Sequence, residues 1–252
     1  MLIDLPADFD FRQGVAIVFL FTAWFTYSTV LRMISRGSLN RQLSTVRAQW
    51  LRLSIRRGQK PFDAILLGNI VNSIAFFGSA TMIVIAGVVT LFVNVKAVFE
   101  TKTELMLTES SSLALFVMHV TVLSVILALC FFAFTYALRK LIYVLALVGA
   151  LPEGELSPHA AACRLQMVDN AATVLTEALV TFNFGIRGYY YAIAALGLFV
   201  SPELSILITF GATFILMYRQ IGTRTSAAVQ SYVDLLREAQ KPPSQADENT
   251  GK

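Results

Sequence analysis

Charge is scarce in this sequence: Asp, Glu, Lys and Arg make up 14% of 252 residues, while hydrophobic residues make up 56%. Soluble domains carry about a quarter charged residues, so an ordinary soluble domain is excluded and a bilayer is the matching solvent. Histidine is limited to His119 and His159, and cysteine to Cys130 and Cys163. The two histidines fall on opposite sides of the membrane in the topology below, so no zinc or haem pair is expected. One thiol lies in an apolar run and the other in a segment expected in the cytosol, which argues against a structural disulfide. No GxxxxGK[ST] and no GxGxxG occurs, nor any nucleophile–base, paired-carboxylate or metal-ligand spacing, so the expectation is a non-enzyme without a cofactor. The net charge of +4 lies beside apolar runs and follows the positive-inside rule, which leaves nucleic acid unexpected as a partner.

What is present is a series of long apolar runs. Residues 15–33, VAIVFLFTAWFTYSTVLRM, are just long enough to cross ~30 Å of hydrocarbon, and the acidic segment before them lacks the basic start of a secretory signal. This run is expected to be a retained first span. The second span covers 66–95 within the longer apolar stretch from Phe62, and the third covers 113–138, with apolar sequence continuing to Leu151. Residues 188–201 and 203–219 read as two short spans joined by a turn at Ser201-Pro202, a re-entrant hairpin being the alternative. Arg32, Arg36, Arg41, Arg47, Arg52, Arg56, Arg57 and Lys60 follow span one with no acid before Asp63. The N-terminus is therefore expected outside and the C-terminus in the cytoplasm of a bacterial inner membrane.

Two stretches have the period of amphipathic helices. In 38–57, Leu39, Leu43, Val46, Trp50 and Leu53 recur every three or four residues against arginines and glutamines, giving either a helix on anionic headgroups or a cover for the bundle. In 157–183, Ser157-Pro158 forms a helix start and Leu165, Val168, Ala172, Leu175, Leu179 and Phe182 form the stripe. Residues 96–112 read as an outer loop, and 241–252 as a disordered tail. The expected architecture is an all-α, polytopic membrane helix bundle in a single domain, 1–240. It has about five transmembrane helices, long helices two and three extending into the cytosol, and two amphipathic cytoplasmic helices.

The candidate polar site comes from side chains that interrupt these runs. Asn69, Asn72 and Ser73 share a helical face, with Ser79 on its continuation. Interhelical hydrogen bonding is the plainer role for them, and lining a permeation path or an anion site the sharper one. Counting ~20 residues inward from Val93 places both amides near the inner interface, level with Arg139, Lys140 and Arg187. That suggests a cytoplasmic-side ring for an anion or a lipid headgroup, and Arg139 with Glu177 is the ion pair singled out. Trp50, Tyr189 and Tyr190 are expected as interfacial anchors. Gly188, Ala192 and Gly197 are expected as packing surfaces.

Three stretches resemble the domain of unknown function 599 family of bacterial membrane proteins: LLGNIVNSIAFFGSATMIVIAG (66–87), FTYALRKLIYVLALVGALP (134–152) and FNFGIRGYYYAIAALGLFVSP (182–202). The resemblance implies an integral membrane protein and supplies no activity. The functional expectation is a self-assembling bundle, a homo-oligomer forming a passive pore or transport-related assembly for a small ion or anion. The alternative is an accessory subunit of a larger membrane complex.

Overall fold

The computed structural model describes residues 6–34, 38–55, 60–104, 112–152, 154 and 157–240. These residues form eight helices and no strand: α1 (Phe11–Ile34), α2 (Leu39–Ser54), α3 (Lys60–Val93), α4 (Val95–Glu104), α5 (Leu113–Gly149), α6 (Pro158–Gly197), α7 (Pro202–Ile221) and α8 (Arg224–Glu238). Four helical stretches are long and apolar enough to cross a membrane: Phe11–Ile34, Phe62–Val93, Leu113–Gly149 and the run that starts at Pro202. The expected tail 241–252 and Arg36, Arg56 and Arg57 of the basic segment lie outside the described residues.

Local chemistry sets several helix starts. The hydroxyls of Ser112, Ser157, Ser201 and Thr223 each accept a first-turn N–H, at the heads of α5, α6, α7 and α8. Proline follows at Pro158 and Pro202, where its missing N–H costs nothing.

Three helices are longer than a bilayer needs. At 1.5 Å per residue, α3, α5 and α6 run ~51, ~56 and ~60 Å, whereas α1 and α7 run ~36 and ~30 Å. At one end the bundle is level: Asp8 accepts from the Ser112 amide at 2.6 Å, Arg12 meets Glu203 at 3.2 Å, and Phe116 packs on Phe199. The surplus therefore lies at the other end, called the basic end here because Arg32, Arg41, Arg47 and Arg52 gather there. α2 lies over that surplus. Arg52 forks onto both oxygens of Asp169 at 2.6 and 2.7 Å, and Trp50 Nε1 donates to Asp63 Oδ1 at 2.6 Å. The bland alternative for α2, a helix packed on its own bundle, is thus the observed one, with Leu51 buried beneath it.

Three boundaries differ from expectation. The amphipathic stretch 157–183 and the short span 188–201 are one unbroken helix, α6, because nothing between Phe182 and Gly188 breaks the ladder. The outer loop 96–112 begins as a helix, α4, set off from α3 by the turn at Asn94, with Phe99 edge-on to Phe116 at 5.8 Å. Beyond the last expected span, residues 224–238 also form a helix, α8, whose Val233 is buried.

The core lies where α6 passes between α1, α5 and α7. Trp24 is fully buried, stacks on Phe184 at 4.8 Å, and donates its N–H to the Phe184 carbonyl at 3.2 Å. Gly188 makes this approach possible: a Cβ there would collide with Cys130 Sγ and lie 2.6 Å from the Trp24 ring. Lipid is as apolar as leucine, so burial against lipid drives little, and close van der Waals fit must hold such helices together. Gly185 against Phe134 and Gly197 against the Ser205 backbone repeat the device, as packing surfaces rather than hinges.

Candidate anion site

The polar residues singled out from sequence do not gather into one ring within the chain. Asn69, Asn72 and Ser73 are exposed on α3, on the face turned away from α5, and the Ser73 hydroxyl is taken by the Asn69 carbonyl at 2.8 Å. Arg139 is exposed and donates to the Tyr143 hydroxyl at 2.7 Å. The pairing of Arg139 with Glu177 is not formed. Lys140, next along the helix, faces α6 instead, donating to Thr181 Oγ1 at 2.8 Å and to the Glu177 carbonyl at 3.4 Å, beside the Tyr136 ring.

The anchors also have protein partners. Trp50 holds Asp63, as above. The Tyr189 hydroxyl hydrogen-bonds Thr81 and the Phe77 carbonyl on α3, and the Tyr190 hydroxyl accepts from Arg219 at 2.8 Å. Tyr191 is buried against Thr213 of α7, 3.0 Å between hydroxyls. The tyrosine triplet thus cross-links three helices, because a central helix presents successive residues to different neighbours about 100° apart.

Arg187 alone among the expected cations is buried, at 8% exposure. Its guanidinium stands 4.8 Å from the Tyr27 ring and donates one N–H to Ser28 Oγ at 2.9 Å, while its buried Nε has no hydrogen-bond partner. Arg187 lines a cavity of about 230 Å³ at the basic end, between α1, α6 and α7 and the first turns of α2 and α8. Arg219 lines it from the last turn of α7, and Asn40, Asn183, Gln220 and Thr225 supply amides and a hydroxyl. Among the described residues no carboxylate lines it.

The backbone adds to this positive potential. α2 and α8 both begin at the cavity, with Leu39, Asn40, Thr223 and Thr225 in its wall. The α2 N-cap, Ser38, makes no side-chain capping bond, and the Asn40 N–H instead meets Gln220 Oε1 at 3.3 Å. Each helix start carries roughly half a positive charge, and a desolvated guanidinium without a counter-ion is costly, so the chemistry of this wall suits an anion. Among the described residues no group of three or more metal-type ligands is gathered.

Sequence reasoning found Arg187 and missed its companions. One signal was there to find: Asn183, Arg187 and Tyr190 are spaced four and three residues apart, one polar face on an otherwise apolar helix. Arg219, Asn40 and Thr225 come from distant segments, and only the fold brings them together.

The sequence profile of the protein family of unknown function DUF599 matches residues 15–225. No curated protein and no solved structure matches the chain. This chain belongs to the DUF599 family.

Proposed function

Starting from that membership, we propose a non-enzymatic protein of the bacterial cytoplasmic membrane that handles a small anion at its inner face. The single observation behind this reading is Arg187, a buried cation at the wall of a cavity lined by a second arginine and, among the described residues, by no carboxylate. The second half of α6 supplies a fifth crossing. It falls short of the apolarity of a lone span because its polar side chains are turned onto α1, α3 and α7 rather than toward lipid. With the arginine-rich end inside, the N-terminus is outside, the C-terminus is cytoplasmic, and the long ends of α3, α5 and α6 stand in the cytosol among anionic headgroups.

Self-association is the second part of the proposal. Ile65, Asn69, Asn72, Phe76, Ser79 and Ile83 are exposed along α3 at alternating intervals of four and three, the spacing of a helix-pairing seam. The bundle's own axis is filled by Trp24, Phe134 and Tyr191, all fully buried, so a passive pore would run between copies along α3. The same seam favours a second reading, an accessory subunit that packs on another membrane protein.

Reconstitution tests the transport reading. Anion flux into liposomes should fall at least tenfold in Asn72→Leu, on the α3 seam, and anion binding at the inner face should be lost in Arg187→Gln. Flux equal to that of protein-free liposomes for the wild type would sink the transport reading, and a stable heterocomplex isolated with it would establish the accessory one.

A further inference from the structure

We propose that the ligand of the Arg187–Arg219 cavity is a phosphate group carrying a short hydroxylated substituent, of the phosphoglycerol kind, from either an inner-leaflet lipid headgroup or a soluble phosphorylated polyol. This rests on the reading that the cavity takes an anion, and adds which anion. Three features carry it.

The first is the amount of charge. Two guanidiniums and two helix starts of about half a unit each, less about half a unit for the carbonyl end of α7, make roughly two and a half positive charges around one space. A halide or a single carboxylate neutralises one of them. A phosphate monoester brings about 1.5 to 2 negative charges near pH 7 and three acceptor oxygens. Those oxygens match the donors on offer. Arg187 contributes its charge from the wall with Nη2 held by Ser28, and Arg219 uses Nη1 on Tyr190, leaving the rest of its planar fork for bidentate contact.

The second is size. The cavity measures about 230 Å³. A bare halide fills a fraction of that space, and a phosphate joined to a three-carbon polyol matches its scale.

The third is the neutral part of the wall. Asn40, Asn183 and Gln220 each present a carbonyl acceptor as well as N–H donors, and Thr225 can act in either sense. A bare oxyanion needs donors only, whereas hydroxyl groups need both. Asn183 Nδ2 stands 3.5 Å from Asn40 Oδ1, a long contact that a bridging hydroxyl could improve. Position agrees with a headgroup source: the last turn of α7 and the first turns of α2 and α8 meet here, at the depth where phosphates lie if the basic end is cytoplasmic.

Binding to the full-length protein in a neutral detergent, by titration calorimetry, tests this. The probes are sn-glycerol 3-phosphate, inorganic phosphate and chloride, with native mass measurement after exchange into phosphatidylglycerol or phosphatidylcholine. Glycerol phosphate should bind at least tenfold more tightly than inorganic phosphate and a hundredfold more tightly than chloride. Arg219→Gln, an exposed position whose loss leaves the core intact, should weaken it tenfold or more, and Thr225→Val about threefold. Retention of phosphatidylglycerol over phosphatidylcholine, lost in Arg219→Gln, would assign the lipid source; tight binding of the soluble ester without lipid retention would assign the soluble one. Chloride and phosphate binding equally would overturn the phosphate assignment and leave the anion reading standing. Inorganic phosphate equal to its glycerol ester would overturn the hydroxylated substituent. Absence of binding by every anion and by the anionic lipid, in protein whose melting is unchanged, would overturn both.

Discussion

α3 and the second half of α6 begin from the same kind of sequence and end in opposite roles. Each is an apolar run interrupted by polar side chains: Asn69, Asn72, Ser73 and Ser79 in α3, and Asn183, Arg187 and Tyr189 to Tyr191 in α6. α3 stands at the edge of the bundle, with Leu67, Ile74, Thr81 and Val88 buried on its inner face and its amides exposed. α6 passes through the middle, and its polar groups reach Ser28 on α1, Thr81 on α3, and Thr213 and Arg219 on α7. A polar side chain on a central helix has protein partners on every side, whereas one on an edge helix can only turn to its own backbone, to water or headgroups, or to another chain. Position in the bundle, more than residue type, decides what a buried-looking amide does.

Substitutions can break or sharpen that contrast. The largest effect is expected at the α6 core: Trp24→Ala removes a fully buried indole and its stack on Phe184, costing about 3–5 kcal/mol. The matching change at the edge, Phe76→Ala at a side chain 68% exposed, should leave the melting temperature of the detergent-solubilised monomer nearly unchanged. Comparable losses in both would erase the distinction between edge and centre.

Next come the glycines. Gly188→Val meets Cys130 and Trp24 and should destabilise by about 1–3 kcal/mol or prevent assembly, while Gly68→Val on α3 meets nothing within 4 Å and should be tolerated. Yield and thermal melts in one detergent compare the two.

Smaller still is the tie between α2 and α6. The hydrogen bond from Arg52 holds the Asp169 carboxyl below its ordinary value. A lowered folded-state value means that the contribution is complete above the unfolded carboxylate range, near pH 4, and disappears as pH falls through the lowered value. Both side chains are more than 40% exposed, so solvent screening limits the pair to about 1 kcal/mol or less. Melts between pH 7 and pH 3 should show a slightly larger loss for wild type than for Asp169→Asn. The smallest effect is expected at Tyr189→Phe, which removes the bond to Thr81 and costs on the order of 0.6 kcal/mol, as interhelical hydrogen bonds in membranes do.

Much of this fold could be read in advance, for reasons that differ by element. Long apolar runs announce membrane helices because composition over twenty residues is a strong signal. Ser157-Pro158 and Ser201-Pro202 announce helix starts because capping is local chemistry. α6 was harder. Its halves look like an amphipathic helix and a short span when read separately, because their environments change along one continuous rod. The anion site was half visible: Asn183, Arg187 and Tyr190 form a face, but Arg219, Asn40 and Thr225 join it only through the return of α7 and the turns into α2 and α8.

By itself the sequence determined the solvent of this protein, its helical class, the charge asymmetry of its ends and the positions of its helix caps, since each depends on residues close together in the chain. Only the tertiary structure decided which polar groups meet. Gly188 lets Trp24 and Cys130 close on α6, the same packing brings Tyr27 and Ser28 against Arg187, and the amides of α3 are left on the outside. Those outcomes depend on packing between segments far apart in the chain, where a difference of one methyl group at a glycine settles which helices can touch.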